Sequence, residues 1–328
     1  MLAQTDVDVN AKNKNGHTPL SVAVYIGAVY SLQKLLADPR TDVNTKNKGT
    51  SLLTQAVTKG FSRARGLKLL LLDTRLDIDN DEKNCLLQTA VENKDFDTVT
   101  VLINDTRFEV NHVGQNGESP FFLAVKTKHS DDIVRCLLTS PKLDVNLASR
   151  NGKQDTPLFT AIAMQNYNVV EMLLADPRTD VNKCNLDKES PLFAAVRLPY
   201  NTYLKLLLNY RVNVNQANSN GITPLMLACE KNDEEAVTCV LYPKTVLKTL
   251  KNGLQEMAIA TILSNSATEA PLTKDVLTLF VFNYLFPSKT NAKLVARDGR
   301  TALSIALSVE NINNNIITML EDYIKRYN

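Results

Sequence analysis

A chain of 328 residues with 44% apolar and 22% charged side chains carries enough apolar surface to fold, which excludes general disorder. Its 37 basic and 35 acidic residues are scattered, for a net charge of +2, so no basic stripe points to nucleic acid or to an anionic membrane. The five cysteines are an odd number without a CxxC pair, which fits a reduced compartment, and Cys136 and Cys229 fall where core residues belong.

No basic-then-apolar leader opens the chain. The longest apolar stretch, Val276 to Phe286, is far short of the roughly 20 residues of a membrane span. The expectation is a soluble, cytoplasmic protein.

Ten residues, Leu35 to Asn44, recur unchanged as Leu173 to Asn182, an offset of four steps of roughly 34.5 residues. Weaker copies fill the intermediate steps. The anchor positions are Leu20, Leu53, Leu87, Phe121, Leu158, Leu192, Leu225, Met257 and Leu303, about 32 to 37 residues apart except for a last step of about 46.

The first unit shows the pattern. Thr18 caps a helix with its hydroxyl, Pro19 takes the first helical position where its missing N–H costs nothing, and Leu20, Ala23 and Val24 follow at helical spacing. Gly27 stops that helix, a second runs from about Val29 to Leu36, and Pro39 lies where the chain leaves it. Asp42-Val43-Asn44 is then an extended piece whose Asn bonds the turn backbone. A small residue recurs at the centre of each first helix, from Ala23 through Ala90, Ala161 and Ala228 to Ala306, and paired leucines recur in the second helices. Each leucine buried between units contributes roughly 1.5–3 kcal/mol. A single unit has nowhere else to hide it, so stability must come from stacking.

Gly16-His17-Thr18-Pro19-Leu20, its echo Gly221-Ile222-Thr223-Pro224-Leu225, and the Leu-Leu…Asp-Val-Asn endings resemble ankyrin repeats. The resemblance covers residues 7–260 well and 299–328 more weakly. It implies an all-α repeat solenoid of stacked helix-turn-helix units, each with a protruding β-hairpin loop, that binds partner proteins. The domain organisation expected is an array over 1–260, an insertion with an extra or extended helix over 261–298, and a capping unit over 299–328, closed by an amphipathic helix around Ile316 to Tyr323. Residues 2–10 read as the tail of a preceding repeat, so either a truncation precedes Met1 or the first unit shows an apolar face.

The sequence departs from the family where a His commonly follows Thr-Pro-Leu. Here that place holds Ser21, Thr54, Gln88, Phe122, Phe159, Phe193, Met226, Ala258 and Ser304. The Asp38-Pro39-Arg40-Thr41 turn replaces a Gly-Ala ending and is expected to be structural. The fifth hairpin, Ser149 to Asp155, is a few residues longer than the others, so its tip protrudes.

No catalytic set is expected: His17, His112 and His129 lie in different units without a nucleophile or a metal spacing, and the glycines are isolated turn glycines. No cofactor is expected. The positions that the repeat itself does not need are the hairpin tips and the ends of the first helices, which the resemblance places on the binding face. They give Tyr25, Ile26, Lys59, Glu92, Lys126, Arg150, Lys153, Met164, Arg197, Leu198 and Lys231 as candidate partner-binding residues. Hairpin residues Lys14, Asn15, His17, Asn116, Glu118, Asp187, Asn220 and Ile222 stand beside them. Met164, Arg197 and Leu198 form an apolar patch flanked by a charge, with Tyr167 and Tyr200 as additions. The function expected is a noncatalytic, monomeric scaffold for a protein partner, without nucleic acid or membrane. The alternatives are a substrate-recruiting fragment of a larger enzyme or a secreted effector that captures host proteins.

Overall fold

The computed structural model describes residues 7–58, 64–241, 295, 299–309 and 314–326. Sixteen helices lie among the described residues, and no strand does: β pairing there is limited to the isolated bridges Asn47 to Thr50 and Val295 to Thr301. The chain divides into two compact units, residues 1–157 with 171–178, and residues 158–170 with 179–328.

In unit 1 the helices come in pairs: α1 (Pro19–Ile26) with α2 (Val29–Leu36), α3 (Leu52–Thr58) with α4 (Ala64–Leu72), α5 (Asn80–Glu92) with α6 (Phe96–Ile103), and α7 (Pro120–Lys126) with α8 (Asp131–Leu138). First helices pack on first helices and second on second, α1 on α3 on α5 on α7 and α2 on α4 on α6 on α8. Helices α9 (Pro157–Ala163) and α10 (Tyr167–Ala175) follow. In unit 2, α11 (Pro191–Arg197) and α12 (Thr202–Leu207) stack on α13 (Pro224–Glu230) and α14 (Glu234–Leu241). The next pair, α15 (Ala302–Ser308) and α16 (Asn314–Arg326), packs directly on α13 and α14. Ile316, Leu320 and Tyr323 of α16 are buried, the inward face expected of a closing amphipathic helix.

Local chemistry sets these elements. Thr18, Ser119, Thr223 and Thr301 each accept the N–H three residues on, and Pro19, Pro120, Pro191 and Pro224 take the first helical positions. Gly27 ends α1 with φ 73°, where a Cβ would be strained. The recurring alanines are essentially solvent-free: Ala90, Ala124, Ala161, Ala195, Ala228 and Ala306 all lie at 0% exposure. Leu32 packs within 3.3 Å of where a side chain on Gly66 would begin, so α2 and α4 approach closely. The large residues in the place of the usual His, Phe122, Phe159, Phe193 and Met226, are buried and fill that space with apolar volume.

Three side-chain devices join consecutive repeats. The valines of the Asp-Val-Asn pieces (Val43, Val110, Val145 and Val214) point into the core. From sequence the asparagines are expected to bond the backbone of their own turn; instead they reach the next repeat. Asn44 donates to Arg75 O (2.9 Å) and accepts from Asp77 N (2.8 Å), and Asn10, Asn111 and Asn182 make the same pair of bonds one repeat on. An amide suits this job because it carries a donor and an acceptor side by side.

The third device is the turn after the second helix. Arg40, Arg75, Arg107 and Arg178 each form an ion pair with the Asp two residues earlier, at 2.6–2.8 Å. Arg75 also donates to Leu36 O (2.8 Å), Arg107 to Leu71 O (2.7 Å), and Arg178 to Leu138 O (2.7 Å) and Ser140 O (2.8 Å). Each guanidinium thus satisfies carbonyls that the end of the preceding second helix leaves open. The neighbouring Arg hydrogen bonds hold the Asp73, Asp105 and Asp176 carboxyls below the ordinary carboxylate range, and bring Asp38 down to about 2.

Loops take the place of β-hairpins. A backbone bond from N–H to the carbonyl four residues on closes the tips at Asn13, Gly114, Asn185 and Asn218 (2.9–3.0 Å), arms too short for a ladder. At Ser149 the bond runs to Asp155, six residues on (3.1 Å), so this tip is longer, with Asn151 to Lys153 exposed. The third repeat has no tip. Asp79 and Glu82 form a reciprocal capping box that starts α5 at Asn80, and no glycine between Asn80 and Leu87 allows a tight turn. Asp79 stands where other repeats carry the bridging Asn. Glu82 is buried and accepts from the Ser51 and Thr54 hydroxyls of the second repeat.

The expected unit anchored on Met257 and the apolar helix from Val276 to Phe286 lie outside the described residues.

Candidate functional site

In three repeats the residue just before the helix cap sits against a residue at the end of the same first helix, eight positions on. In the first repeat this pair is aromatic: the His17 and Tyr25 rings lie 6.2 Å apart. In the fourth it is ionic, with Lys126 donating to Glu118 at 2.7 Å, and in the sixth Arg197 holds Glu189 through both terminal guanidinium nitrogens, Nη1 and Nη2. Both carboxylates are nearly solvent-free (side chains 8% and 4% exposed) while the cations remain half exposed (51% and 43%). In these three repeats the loop and the helix end are therefore one connected surface.

Other candidates at the helix ends divide between exposed and structural. Tyr25, Ile26 and Met164 are 43%, 64% and 46% exposed. Glu92 is exposed and accepts from Gln88 (3.1 Å). Lys231 is committed: its Nζ donates to Val196 O (2.6 Å) and Leu198 O (2.8 Å), capping the end of α11 in the repeat before it. Asn93 does the same for α3 through Val57 O (3.1 Å). Leu198 is half-buried, and Lys231 joins its carbonyl to the next repeat. On the long tip, the Arg150 N–H donates to Gly117 O (2.6 Å) of the neighbouring loop, and Lys153 is exposed. Lys59 lies outside the described residues.

Unit 2 carries exposed apolar side chains beyond the three named residues of the patch. Tyr167 is 42% exposed with its ring 6.2 Å from Tyr203, which is buried, and Tyr200 is 74% exposed in the turn after α11. Burial pushes the Tyr203 phenol up, so it stays protonated. Met164 and Tyr200 lie in the turns between first and second helices of consecutive repeats, and Tyr167 and Tyr203 at the starts of the second helices that follow.

The buried Glu189 was missed from sequence. Its signal was present: Glu-Ser-Pro occurs twice, each time with a cation eight residues after the Glu. Asn44 and its equivalents were placed correctly but assigned to the wrong repeat, because their partners lie about 31 to 33 residues away.

Among the described residues no group of three or more His, Cys, Asp or Glu side chains could hold a metal ion. No helix among them is long and apolar enough to cross a membrane. Cys136 and Cys229 are buried as expected, and burial pushes the Cys229 thiol up to about 12.

The family model for ankyrin repeats matches residues 86–183 and 174–252, about half of the chain. Neurogenic locus notch homolog protein 1 of Mus musculus is 30% identical over 146 residues, which are 44% of this chain and 6% of that protein. The Xenopus laevis protein of the same name is 28% identical over 149 residues, 45% of this chain and 6% of the relative. Ankyrin repeat domain-containing protein SAT10 of Stachybotrys chartarum is 24% identical over 181 residues, 53% of this chain and 9% of the relative. The chain thus spans less than a tenth of the length of these relatives. Among solved structures, the ankyrin repeat domain of Bcl-3, described as a unique member of the IkappaB protein family, superposes with a TM-score of 0.52 at 17% identity, over 94% of this chain and all of that one. At that identity the likeness is one of fold. With the helix pairs, the proline-started first helices and the family match in agreement, the chain belongs to the ankyrin repeat family.

Proposed function

We propose that this protein is a noncatalytic protein-interaction scaffold that works as a cytoplasmic monomer and takes its partner on the apolar row of unit 2. Ankyrin repeats are in general protein-interaction modules. The observation that carries the reading is the grouping of Met164, Tyr167 and Tyr200, all exposed, with Tyr167 steadied against Tyr203 and Arg197 oriented by Glu189. Interfaces concentrate binding energy in a few aromatic, Met and Arg anchors, and anchors that are already ordered lose little entropy on binding. Arg150, Lys153, Tyr25, Ile26, Glu92 and Lys126 are contacts of the second rank in this reading, and Lys231 contributes by holding Leu198.

The test is affinity capture with mass spectrometry, followed by binding of the purified partner to a Met164→Ala/Tyr200→Ala variant. Tyr200 is chosen over Leu198 as the second position because Leu198 is half-buried. A loss of more than about 1 kcal/mol in affinity with unchanged melting is expected. Equal affinity of variant and parent would remove the reading.

A further inference from the structure

We propose that the first two loops of unit 1 form a second, electrostatic docking surface that takes an extended acidic segment of a protein. Ala11-Lys12-Asn13-Lys14 and Thr45-Lys46-Asn47-Lys48 occupy the same places in consecutive repeats. All four lysines are exposed. The two loops are tied together by the Asn47 side-chain amide, which donates to the His17 ring at 2.6 Å. The lysines thus stand as two pairs, one repeat apart, on a held framework.

Nearby carboxylates pair with one of the four lysines among the described residues. Asp8 and Asp42 are turned into their own loops, each accepting a backbone N–H (Asn10 and Asn44, both 2.9 Å). Asp79 reaches Lys46 at 3.5 Å, and this is the single carboxylate within ion-pair distance of the four lysines among the described residues. In a chain of net charge +2, this is a local concentration of positive charge. The loops of unit 2 lack it: Lys183, Asp187 and Lys188 are mixed, and Asn218 and Asn220 are neutral.

Spacing selects the occupant. Adjacent helix layers pack about 8–10 Å apart, and an extended segment in the polyproline II conformation rises roughly 9 Å per three-residue turn, with every third side chain on one face. Carboxylates three residues apart on such a segment therefore meet successive lysine pairs. Single-stranded nucleic acid fits less well, because it requires aromatic faces for its bases, and the aromatic ring at these loops, His17, is already engaged by Asn47 and Tyr25. This surface rests on the partner being a protein, as proposed above, and is tested by different variants, so either reading can fail alone.

The experiment is fluorescence anisotropy of a labelled ten-residue peptide with Glu at every third position, at low and at physiological salt. A dT oligonucleotide and phosphatidylserine vesicles are run as competitors. Binding of the peptide that weakens with salt is expected, together with at least a tenfold loss in the Lys12→Gln/Lys14→Gln/Lys46→Gln/Lys48→Gln variant and no loss in Lys183→Gln/Lys188→Gln. Equal binding by the quadruple variant, no binding at low salt, or preference for the oligonucleotide or the vesicles would overturn the proposal. Five of these six lysines are exposed and Lys183 is half-buried, and circular dichroism checks that the variants fold.

Discussion

Glu189 is a carboxylate with 4% of its side chain exposed, and Arg197 supplies both of the hydrogen bonds shown to its oxygens. Burying a charge is tolerable when it is paired and costly when the pair is broken. Arg197→Ala should therefore destabilise the protein by roughly 3 kcal/mol, the low end for a broken buried pair because Arg197 itself is half exposed. Replacing both partners with apolar residues, as in Glu189→Leu/Arg197→Met, should cost markedly less. Urea denaturation of the two variants decides it, and equal losses would mean that the stranded carboxylate is not the cause. The same logic explains why a residue that looks like a free surface cation in the sequence is half committed to structure. Lys126 repeats the arrangement on Glu118, and Lys231 goes further by giving its ammonium to two carbonyls of the preceding repeat.

At the scale of the element, the Asp-x-Arg turns act as helix caps supplied by the following repeat. Arg107 joins Asp105 to the end of α4, and its removal should cost about 1–2 kcal/mol at neutral pH, the range for a hydrogen bond to a charged group at a partly exposed site. Arg107→Lys should recover only part of this, since an ammonium cannot reproduce the fork that engages the carboxylate and a carbonyl together. The pH dependence follows from the depressed carboxyls. Asp38, Asp73, Asp105 and Asp176 are held below their ordinary 3.8 in the fold. Their contribution is thus complete above about pH 4 and is lost as the pH falls toward the folded values, near 2 for Asp38. Urea midpoints measured from pH 5 to pH 2 should fall through that window, and fall less for Arg107→Ala. A parallel decline in both would assign acid sensitivity to other groups. The third repeat shows how little separates one element from another: Asp79 and Glu82 close a capping box, a helix begins at once, and the loop is gone.

At the scale of the whole molecule, each repeat leans on its neighbours, and stability is a sum of intrinsic and nearest-neighbour terms. The asparagines are a measurable part of the neighbour term. Asn111 bonds Lys142 O (2.7 Å) and Asp144 N (2.9 Å). In Asn111→Ala both groups lose their side-chain partner, at roughly 1 kcal/mol each. Hydrogen exchange should then rise in α6 and α8, the second helices joined through this contact, and stay unchanged in α1 and α2. Uniform acceleration throughout unit 1 would show that its repeats open together.

The sequence by itself determined the repeat period, the start of the proline-led first helices, the inward face of the alanine and leucine rows, and the length of the fifth loop. These depend on near-neighbour chemistry: caps, proline positions and apolar spacing act within one or two turns of chain. The missing third loop was also written locally, in the capping box at Asp79 and the absence of glycine after it, and was overlooked because the repeat pattern was carried through it. Only the tertiary structure decided where the polar side chains go. Asn44 reaches Asp77, Arg178 reaches Leu138, Lys231 reaches Val196 and Glu189 is sealed beneath Arg197. A long polar side chain has many partners within reach on an isolated repeat, and stacking removes water from all but one.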